Sequence, residues 1–391
     1  MNYRPESPDM VHVRHRSYHP FDYHVPTRIV GGPGAVAQLP AELDRYGIER
    51  PLIITDAGIR AVGLLDPVLT ALTAEARTAE IFDGIASDPT THSVEEAARR
   101  IREGGHDGII ALGGGSPLDA AKAAAAVATS GRPVLELVGP ERITTDPLPV
   151  IAIPTTAGTG SEVTRFCVLS DPASSRKVSI SSMRVLPVLA ILDPELTSGL
   201  PAPLTAATGF DALAHAIESF GSVWNNPISE GHAKNAVALI GRHLLTALRE
   251  PENLEARAGM LAASCIAELA ANSTRLGLTH ALAVPLGGLH SIPHGVAVAI
   301  VLPEMCAFNE ELESTRYTEL AALLSPDADN LERAVRELRD AAGLTSRLRD
   351  WDVGEDDFAP VVEIAVGSDN TEANPRAAGP GELTELLRAA L

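Results

Sequence analysis

The chain has 391 residues, 45% of them hydrophobic and 21% charged, which supplies enough apolar surface for two domains rather than one. Its 31 Lys and Arg residues are outnumbered by 51 Asp and Glu residues, and the net charge of −20 repels nucleic-acid phosphates and anionic lipid headgroups alike. No apolar run reaches the roughly 20 residues that a membrane-spanning helix needs, so neither nucleic acids nor membranes are expected as partners.

The N-terminal segment and the cysteines indicate where the protein works. Residues 1–24 are polar and lack the apolar centre of a secretion signal, so they are predicted to form a mobile leader. The chain has three cysteines, each alone in its neighbourhood, which predicts neither a disulfide framework nor a thiolate metal cluster. A reducing cytoplasm fits this composition.

The stretch 25–193 alternates short β-branched runs with longer Ala-rich amphipathic segments. Residues 51–55 and 109–112 are apolar and strand-like, whereas residues 120–128 have a helical pattern. This rhythm is typical of βαβ units. We therefore predict an N-terminal α/β domain with a parallel, Rossmann-like sheet.

An acid ends the first of these apolar runs. Asp56 follows Leu52 to Thr55, and an Asp at the end of such a strand can accept hydrogen bonds from ribose hydroxyls and repel a 2′-phosphate. The same residue is also a good N-cap for the helix predicted after it. The local sequence leaves both interpretations open.

A glycine turn follows the second run. Gly113, Gly114, Gly115 and Ser116 stand between a predicted strand and a predicted helix, with Asp119 three residues further on. Glycines let a ligand approach the backbone, and the free amides at a helix N-terminus suit a pyrophosphate. A tight turn that binds nothing explains the same spacing equally well.

A third polar cluster occupies residues 154–162, after the apolar run 150–153. It contains Thr155, Thr156 and Thr159 among glycines. Such a loop can hold the polar groups of a ligand, or it can be a turn capped by its own hydroxyls.

The pattern of apolar residues changes near residue 194. Pro194, Pro201 and Pro203 cluster there, and proline disfavours helix at the residue before it, so we place a domain boundary at 193/194. Residues 194–391 are predicted to form an all-α domain without a convincing strand. Apolar residues recur every three or four positions through 204–220, 230–249, 254–272, 310–324, 329–342 and 380–391.

Four side chains in this second half could bind a metal ion. Asp211 and His215 stand four apart in a helical pattern and therefore share one helix face. His280 lies on another helical stretch, and His294 follows a proline turn. One carboxylate and three imidazoles suit Zn²⁺ or Fe²⁺ and leave positions open for substrate. Hydrogen-bonded core histidines are the alternative, because the spacing matches no short metal-binding motif.

Taken together, these segments resemble the iron-containing (group III) alcohol dehydrogenase family, which includes glycerol dehydrogenases and maleylacetate reductases. The resemblance runs nearly end to end and in the right order. It implies a dinucleotide-binding α/β domain, a helical metal-binding domain and an active site in the cleft between them. It rests on Gly31-Gly32-Pro33-Gly34, Thr55-Asp56, residues 113–122, 154–162 and 211–218, Pro293-His294-Gly295 and Asn374-Pro375-Arg376.

The resemblance also assigns roles to particular residues. It implies a divalent metal, with Fe²⁺ favoured over Zn²⁺, bound by Asp211, His215, His280 and His294. Because of Asp56, it also implies NAD rather than NADP as the cofactor. A homodimer or larger homo-oligomer is expected as well. The cofactor contacts implied, including the motif residue Asp119, are Gly113, Gly114, Gly115, Ser116, Asp119, Thr155, Thr156, Thr159 and Lys177.

The activity implied is NAD(H)-dependent and divalent-metal-dependent hydride transfer between an alcohol and an aldehyde or ketone. The chain departs from the family at Val284, where many members have a histidine near the substrate, and His290 is a candidate substitute. It also has Asp88 where an asparagine usually precedes the proline.

Three alternatives remain at this point. A maleylacetate-reductase-like oxo-acid reductase is disfavoured, because that branch usually lacks the acid found at Asp56. A dehydroquinate-synthase-like lyase would use NAD only transiently. A non-catalytic scaffold is disfavoured because all four proposed metal ligands are present.

Overall fold

A computed structural model describes residues 20–174 and 176–391 of the chain. Most of the predicted leader, residues 1–19, lies outside this described part. Within it, no helix combines the length and the apolar character needed to cross a lipid bilayer.

The N-terminal half is built on a six-stranded parallel sheet with the order β1-β9-β6-β4-β2-β3. Strands β2, β4, β6 and β9 are almost continuously apolar and buried on both faces, as expected for a parallel sheet covered on both sides by helices. The predicted parallel α/β architecture is confirmed. The described strands are β1 (Arg28–Gly31), β2 (Pro51–Asp56), β3 (Glu80–Ile85), β4 (Gly108–Gly113), β5 (Gly139–Pro140), β6 (Val150–Pro154), β7 (Phe166–Asp171), β8 (Arg176–Ser181) and β9 (Leu189–Leu192).

Helices cover both faces of this sheet. Along β2, Leu52 and Ile54 pack into the core beneath α4 and α5, whereas Ile53 points into the core beneath α1 and α3. Neighbouring residues face opposite sides because side chains alternate along a strand. The helices of this half are α1 (Leu39–Arg45), α2 (Ala57–Ala61), α3 (Asp66–Ala74), α4 (Thr91–Gly104) and α5 (Gly115–Ser130).

A small second sheet, with the order β5-β8-β7, was not predicted from the sequence. Its strands β7 and β8 pair antiparallel, with Asp171 opposite Arg176. A buried lysine on α5 fixes the chain that leads into β7, because the Lys122 ammonium donates to the carbonyl oxygens of Ser161, Thr164 and Phe166 at 3.0, 3.3 and 2.6 Å.

The C-terminal half is helical around one apolar core, as predicted. The start of α10 escaped prediction because residues 297–306 are buried almost all round, which leaves no amphipathic period to detect. The helices are α6 (Ala202–Gly221), α7 (Pro227–Arg249), α8 (Leu254–Thr274), α9 (Leu278–His290), α10 (His294–Leu324), α11 (Leu331–Ala341), α12 (Phe358–Val366), α13 (Asp369–Ala373) and α14 (Pro380–Ala389).

The loop after β6 joins the two halves. A Cβ atom on Gly158 would lie 2.7 Å from Thr208 Cβ on α6, and one on Gly160 would lie 2.8 Å from Glu268 Cγ on α8. Further along the loop, the Asn272 side chain accepts from the amide of Arg165 at 3.1 Å and donates to the carbonyl of Val163 at 2.6 Å. Two glycines therefore allow this loop to lie directly on both helices.

Gly160→Ala is expected to lower the free energy of unfolding by about 2–4 kcal/mol, because it combines a strained backbone with overlap against α8. Gly160 has a φ of +57°. Gly131→Ala is the matched control, since Gly131 has a φ of +65° and nothing within 4 Å of an added Cβ. Its cost should be only about 1–2 kcal/mol. Urea unfolding measures both, and equal losses would contradict tight docking of the loop.

Candidate metal centre and cofactor site

Helix α6 carries the first half of the candidate metal centre. Asp211, His215 and Glu218 occupy positions i, i+4 and i+7, so their side chains lie on one face of the helix. All three are buried. His280 enters from the first turn of α9, and His294 is the first residue of α10.

These side chains converge on a single carboxylate oxygen. Asp211 Oδ1 lies 3.3 Å from His294 Nε2, 3.4 Å from His280 Nε2 and 3.8 Å from His215 Nε2. The rings of His215 and His280 stack with centroids 4.8 Å apart. The structure thus brings together all four residues that the sequence nominated.

The donor set fits a divalent cation. Asp211, His215 and His280 each offer one ligand atom, and those atoms lie within 4.8 Å of one another. Nitrogen and oxygen donors of this kind suit Fe²⁺ or Zn²⁺. The side chain of His294 is 45% exposed, whereas those of the other three are 8% exposed or less, so the cluster opens to solvent on the His294 side.

The electrostatics of the cluster favour positive charge. Burial raises the pKa of Asp211, but the neighbouring His215 and His294 outweigh it and hold that pKa well below its usual range. Burial lowers the pKa of His280, but the Glu218 charge and the bond with Asp211 together raise it to about 10. Burial lowers the pKa of His215 to about 4. His280 therefore lies between two carboxylates, those of Asp211 and Glu218.

The glycine turn (residues 113–116) lies at the end of β4, beside the loop of residues 155–165 that joins β6 to β7 and is called the threonine loop below. Gly113 has a φ of +146°, which only glycine adopts readily, and Gly115 begins α5. A Cβ on Gly115 would meet Thr159 Cγ2 at 2.8 Å, and one on Gly114 would meet Thr156 Oγ1 at 3.3 Å. No side chain caps the N-terminus of α5, so its first amides are available to an anion.

The ends of β2 and β4 meet at a switch point of the sheet. The chain leaves β2 toward β3 on one side and returns to β4 on the other, and ligands of open α/β sheets bind in the crevice that such a reversal creates. Asp56 stands at the end of β2, and its Oδ1 caps α2 by accepting from the Ile59 amide at 2.9 Å. The helix cap anticipated from the sequence is therefore formed, on the same side of the sheet as the glycine turn.

The other cofactor candidates have structural partners. Ser116 Oγ donates to the carbonyl oxygen of Ser87 at 2.5 Å. Thr155 is buried, and its amide donates to the carbonyl of Gly113 at 2.9 Å. The Lys177 ammonium contacts the Asp88 carboxylate, so the acid that departs from the family pattern pairs with the lysine predicted near the ribose.

Asp119 points into the protein. Its carboxylate accepts from Ser161 Oγ at 2.5 Å and from the Val168 amide at 2.9 Å, and it lies 3.0 Å from the Lys122 ammonium. These partners tie α5 to the threonine loop and to β7. Asp119 thus supports the candidate cofactor site from behind.

Val284 and His290 lie along α9 after His280. Val284 is one turn beyond His280 and 38% exposed, so an apolar side chain lies next to this candidate metal ligand. His290 ends the helix, and its Nε2 is buried without a hydrogen-bond partner. Among the described residues, no hydrogen bond or ion pair joins His290 to the four candidate ligands.

Two buried glutamates beside the cluster were not predicted. Glu218 Oε2 lies 2.5 Å from His280 Nδ1, and Glu268 Oε2 on α8 lies 3.6 Å from His215 Nδ1. Burial raises the pKa of Glu268 to about 8. The spacing of Glu218 from Asp211 could have revealed it, because both lie on one helix face. Nothing local marks Glu268, which reaches the cluster from another helix.

Comparison with known families agrees with this geometry. The model described as "Iron-containing alcohol dehydrogenase" matches residues 26–194, and the model "Fe-containing alcohol dehydrogenase family, C-terminal" matches residues 205–391. The chain belongs to the iron-containing alcohol dehydrogenase family. The predicted class, a metal-dependent oxidoreductase that interconverts alcohols and aldehydes, is confirmed at the level of the family.

Individual relatives cover nearly the whole chain. A 1,3-propanediol dehydrogenase of Citrobacter freundii is 37% identical over 96% of this chain and 100% of its own length. A 4-hydroxybutyrate dehydrogenase of Cupriavidus necator is also 37% identical, over 92% of this chain and 96% of its own. Among solved structures, a 1,3-propanediol oxidoreductase has a TM-score of 0.92 at 36% identity, covering 95% of this chain and 100% of that one.

A further solved structure was obtained with a cofactor. The sulfoacetaldehyde reductase of Bifidobacterium kashiwanohense, in complex with NAD⁺, has a TM-score of 0.89 at 31% identity. The similarity covers 95% of this chain and 99% of that one. Its fold is therefore shared along almost the entire length of both proteins.

His280→Ala should abolish stoichiometric binding of the divalent metal, because it removes a buried donor held between Asp211 and Glu218. The loss in affinity should exceed the roughly 100-fold caused by losing an outer-shell partner. Metal content after loading with Fe²⁺ or Zn²⁺ and gel filtration measures it. His92→Ala, an exposed histidine on α4, is the control and should keep the metal. Equal metal content in both variants would remove the proposed site.

Proposed function

We propose that this chain is an NAD(H)-dependent dehydrogenase that interconverts a short-chain primary alcohol and its aldehyde with a divalent metal, iron or zinc. The convergence of three imidazole Nε2 atoms on one oxygen of Asp211 carries the proposal. The position of the glycine turn and the threonine loop, across the contact between the two halves of the chain, supports the proposal.

Each bound group has its own chemistry. When bound, the metal supplies a Lewis acid, and the nicotinamide accepts or donates the hydride. The protein's part is to hold both groups. Asp211, His215, His280 and His294 would bind the metal. The proposed cofactor contacts are the backbone of Gly113, Gly114 and Gly115, with Ser116, Thr155, Thr156, Thr159 and Lys177. Asp119 would hold the threonine loop behind these contacts.

The proton released by alcohol oxidation needs an acceptor. Val284, one turn beyond His280, cannot serve as one. Exposure of His294 leaves a route from the cluster to water. We propose His290 as a second acceptor, since its buried Nε2 has no hydrogen-bond partner.

The substrate class follows from the relatives and from α9. The relatives' names refer to short-chain alcohols and aldehydes: 1,3-propanediol, 4-hydroxybutyrate and sulfoacetaldehyde. On α9 the exposed side chains of Val284 and Leu289 are apolar. These features favour a short alcohol over the maleylacetate-reductase-like alternative.

We propose the following organisation for the whole protein. Residues 25–193 form the cofactor domain and residues 194–391 form the metal domain, and the chain assembles as a homodimer or larger homo-oligomer in the cytoplasm. All three cysteines are free and buried, which agrees with a reducing compartment. The dimer is carried over from the family resemblance.

The activity is tested by mixing metal-loaded protein with NADH and a panel of propanal, 3-hydroxypropanal, succinic semialdehyde and sulfoacetaldehyde. One NADH should be consumed, together with one proton, for each aldehyde reduced to its alcohol. The panel is repeated with Fe²⁺ and with Zn²⁺. Turnover of a substrate without net NADH consumption would instead support the lyase alternative, and failure to bind either nucleotide would support a scaffold.

Asp56→Asn should raise the ratio of kcat/KM for NADP⁺ over NAD⁺ by about tenfold, or about 1.4 kcal/mol, because it removes a charge that repels the 2′-phosphate. Asparagine caps helices as well as aspartate does, so α2 should keep its N-cap. Asp66→Asn removes one charge from the exposed start of α3 and is the control. An unchanged ratio in Asp56→Asn would leave Asp56 as a helix cap only.

A further inference from the structure

We propose that Glu218 and Glu268 are positioning residues that hold the rings of His280 and His215 so that both Nε2 atoms face the metal. This inference rests on the proposed metal site. It adds two residues that belong neither to the metal ligands nor to the cofactor contacts.

The Glu218–His280 pair is complete in the structure. Glu218 Oε2 lies 2.5 Å from His280 Nδ1, and Glu218 Oε1 accepts from the backbone amide of Thr279 at 2.6 Å. Both of the glutamate's oxygens are therefore bound to the first turn of α9. This fixes the position of the helix start as well as the rotation of the ring.

The Glu268–His215 pair repeats the arrangement from the opposite side. His215 Nδ1 is buried and has no hydrogen-bond partner, and the Glu268 carboxylate is 3.6 Å from it. Glu268 is itself buried and is hydrogen-bonded by Thr164, at the end of the threonine loop. A shift of less than 1 Å by either side chain would bring these two atoms within the roughly 3 Å of a hydrogen bond.

The two pairs have the same chemical consequence. In a neutral imidazole one nitrogen carries the proton and the other carries the lone pair, so a carboxyl oxygen that accepts a hydrogen bond from Nδ1 keeps the proton there. The Nε2 lone pairs of His215 and His280 then face Asp211, where the metal would bind. Carboxylate–histidine–metal arrangements of this kind orient ligands in many metal sites.

The third histidine differs from the other two. His294 Nε2 lies 3.3 Å from Asp211 Oδ1, and its side chain is 45% exposed. Among the described residues, no carboxylate forms an ion pair with its Nδ1. In the candidate metal centre, two buried histidines therefore each have a glutamate beside Nδ1, whereas the exposed histidine at the opening does not.

Glu268 also connects the candidate metal centre with the threonine loop. Its side chain contacts His215, Thr164 and the tightly packed Gly160. The residue that orients one metal ligand therefore lies directly beneath the loop proposed to hold the nicotinamide.

The test measures metal affinity in the full-length protein. Metal-free protein is titrated with Zn²⁺ in competition with a chromophoric chelator, and Co²⁺ absorption reports ligand geometry. Glu218→Gln should weaken Zn²⁺ binding by about 10- to 100-fold and alter the Co²⁺ spectrum. Glu268→Gln should act in the same direction but less strongly, because its carboxylate is farther from the ring.

Glu304→Gln is the matched control, since Glu304 is a buried carboxylate of the same helical half that pairs with Arg336 and not with a ligand. It should bind Zn²⁺ like the unmodified protein. If Glu218→Gln fails to fold, Glu218→Asp, which keeps the charge but withdraws it from the ring, replaces it and should also weaken binding.

The outcomes separate this inference from the proposed function. Unmodified protein that binds no metal would overturn both. Normal metal binding in the unmodified protein, with affinities and Co²⁺ spectra unchanged in both glutamate variants, would overturn only the positioning roles of Glu218 and Glu268.

Discussion

The structure depends on a buried carboxylate, Asp211, that must be matched by positive charge. A carboxylate removed from water is costly unless a cation or several hydrogen-bond donors face it. Here three imidazoles face one of its oxygens at 3.3–3.8 Å, and Glu218 adds a second acid behind His280. Around this cluster, α6, α9 and α10 contribute to a largely apolar core. A cluster with this charge balance is suited to a divalent cation, and its one exposed ligand, His294, leaves room for a substrate.

A second constraint is the close contact between the two halves of the chain. Hydride transfer requires the nicotinamide and the substrate carbon to be held almost in contact. The threonine loop would meet this requirement because Gly158 and Gly160 let its backbone lie on α6 and α8, the helices that carry His215 and Glu268. Lys122 and Asp119 fix the same loop from the side of α5. The polar residues behind the candidate cofactor site thus hold a loop in place.

Prediction from the sequence worked best where the pattern is local. The strands around Ile53 and Ile110 were found because parallel strands are continuously apolar. Helices α7 and α11 were found because each has one apolar stripe. The start of α10 was missed because it is buried all round. The β7–β8 pair was missed because its alternation is short and its strands pair with each other outside the main sheet.

The sequence by itself determined the fold class, the family and the identity of the four candidate ligands, because residue chemistry and the order of motifs are written along the chain. Only the tertiary structure decided that those ligands share one oxygen of Asp211, that Glu218 and Glu268 stand behind two of them, and that Asp119 faces inward. The physical reason is distance along the chain. His215 and Glu268 are more than fifty residues apart, and their contact exists only because α6 and α8 pack side by side.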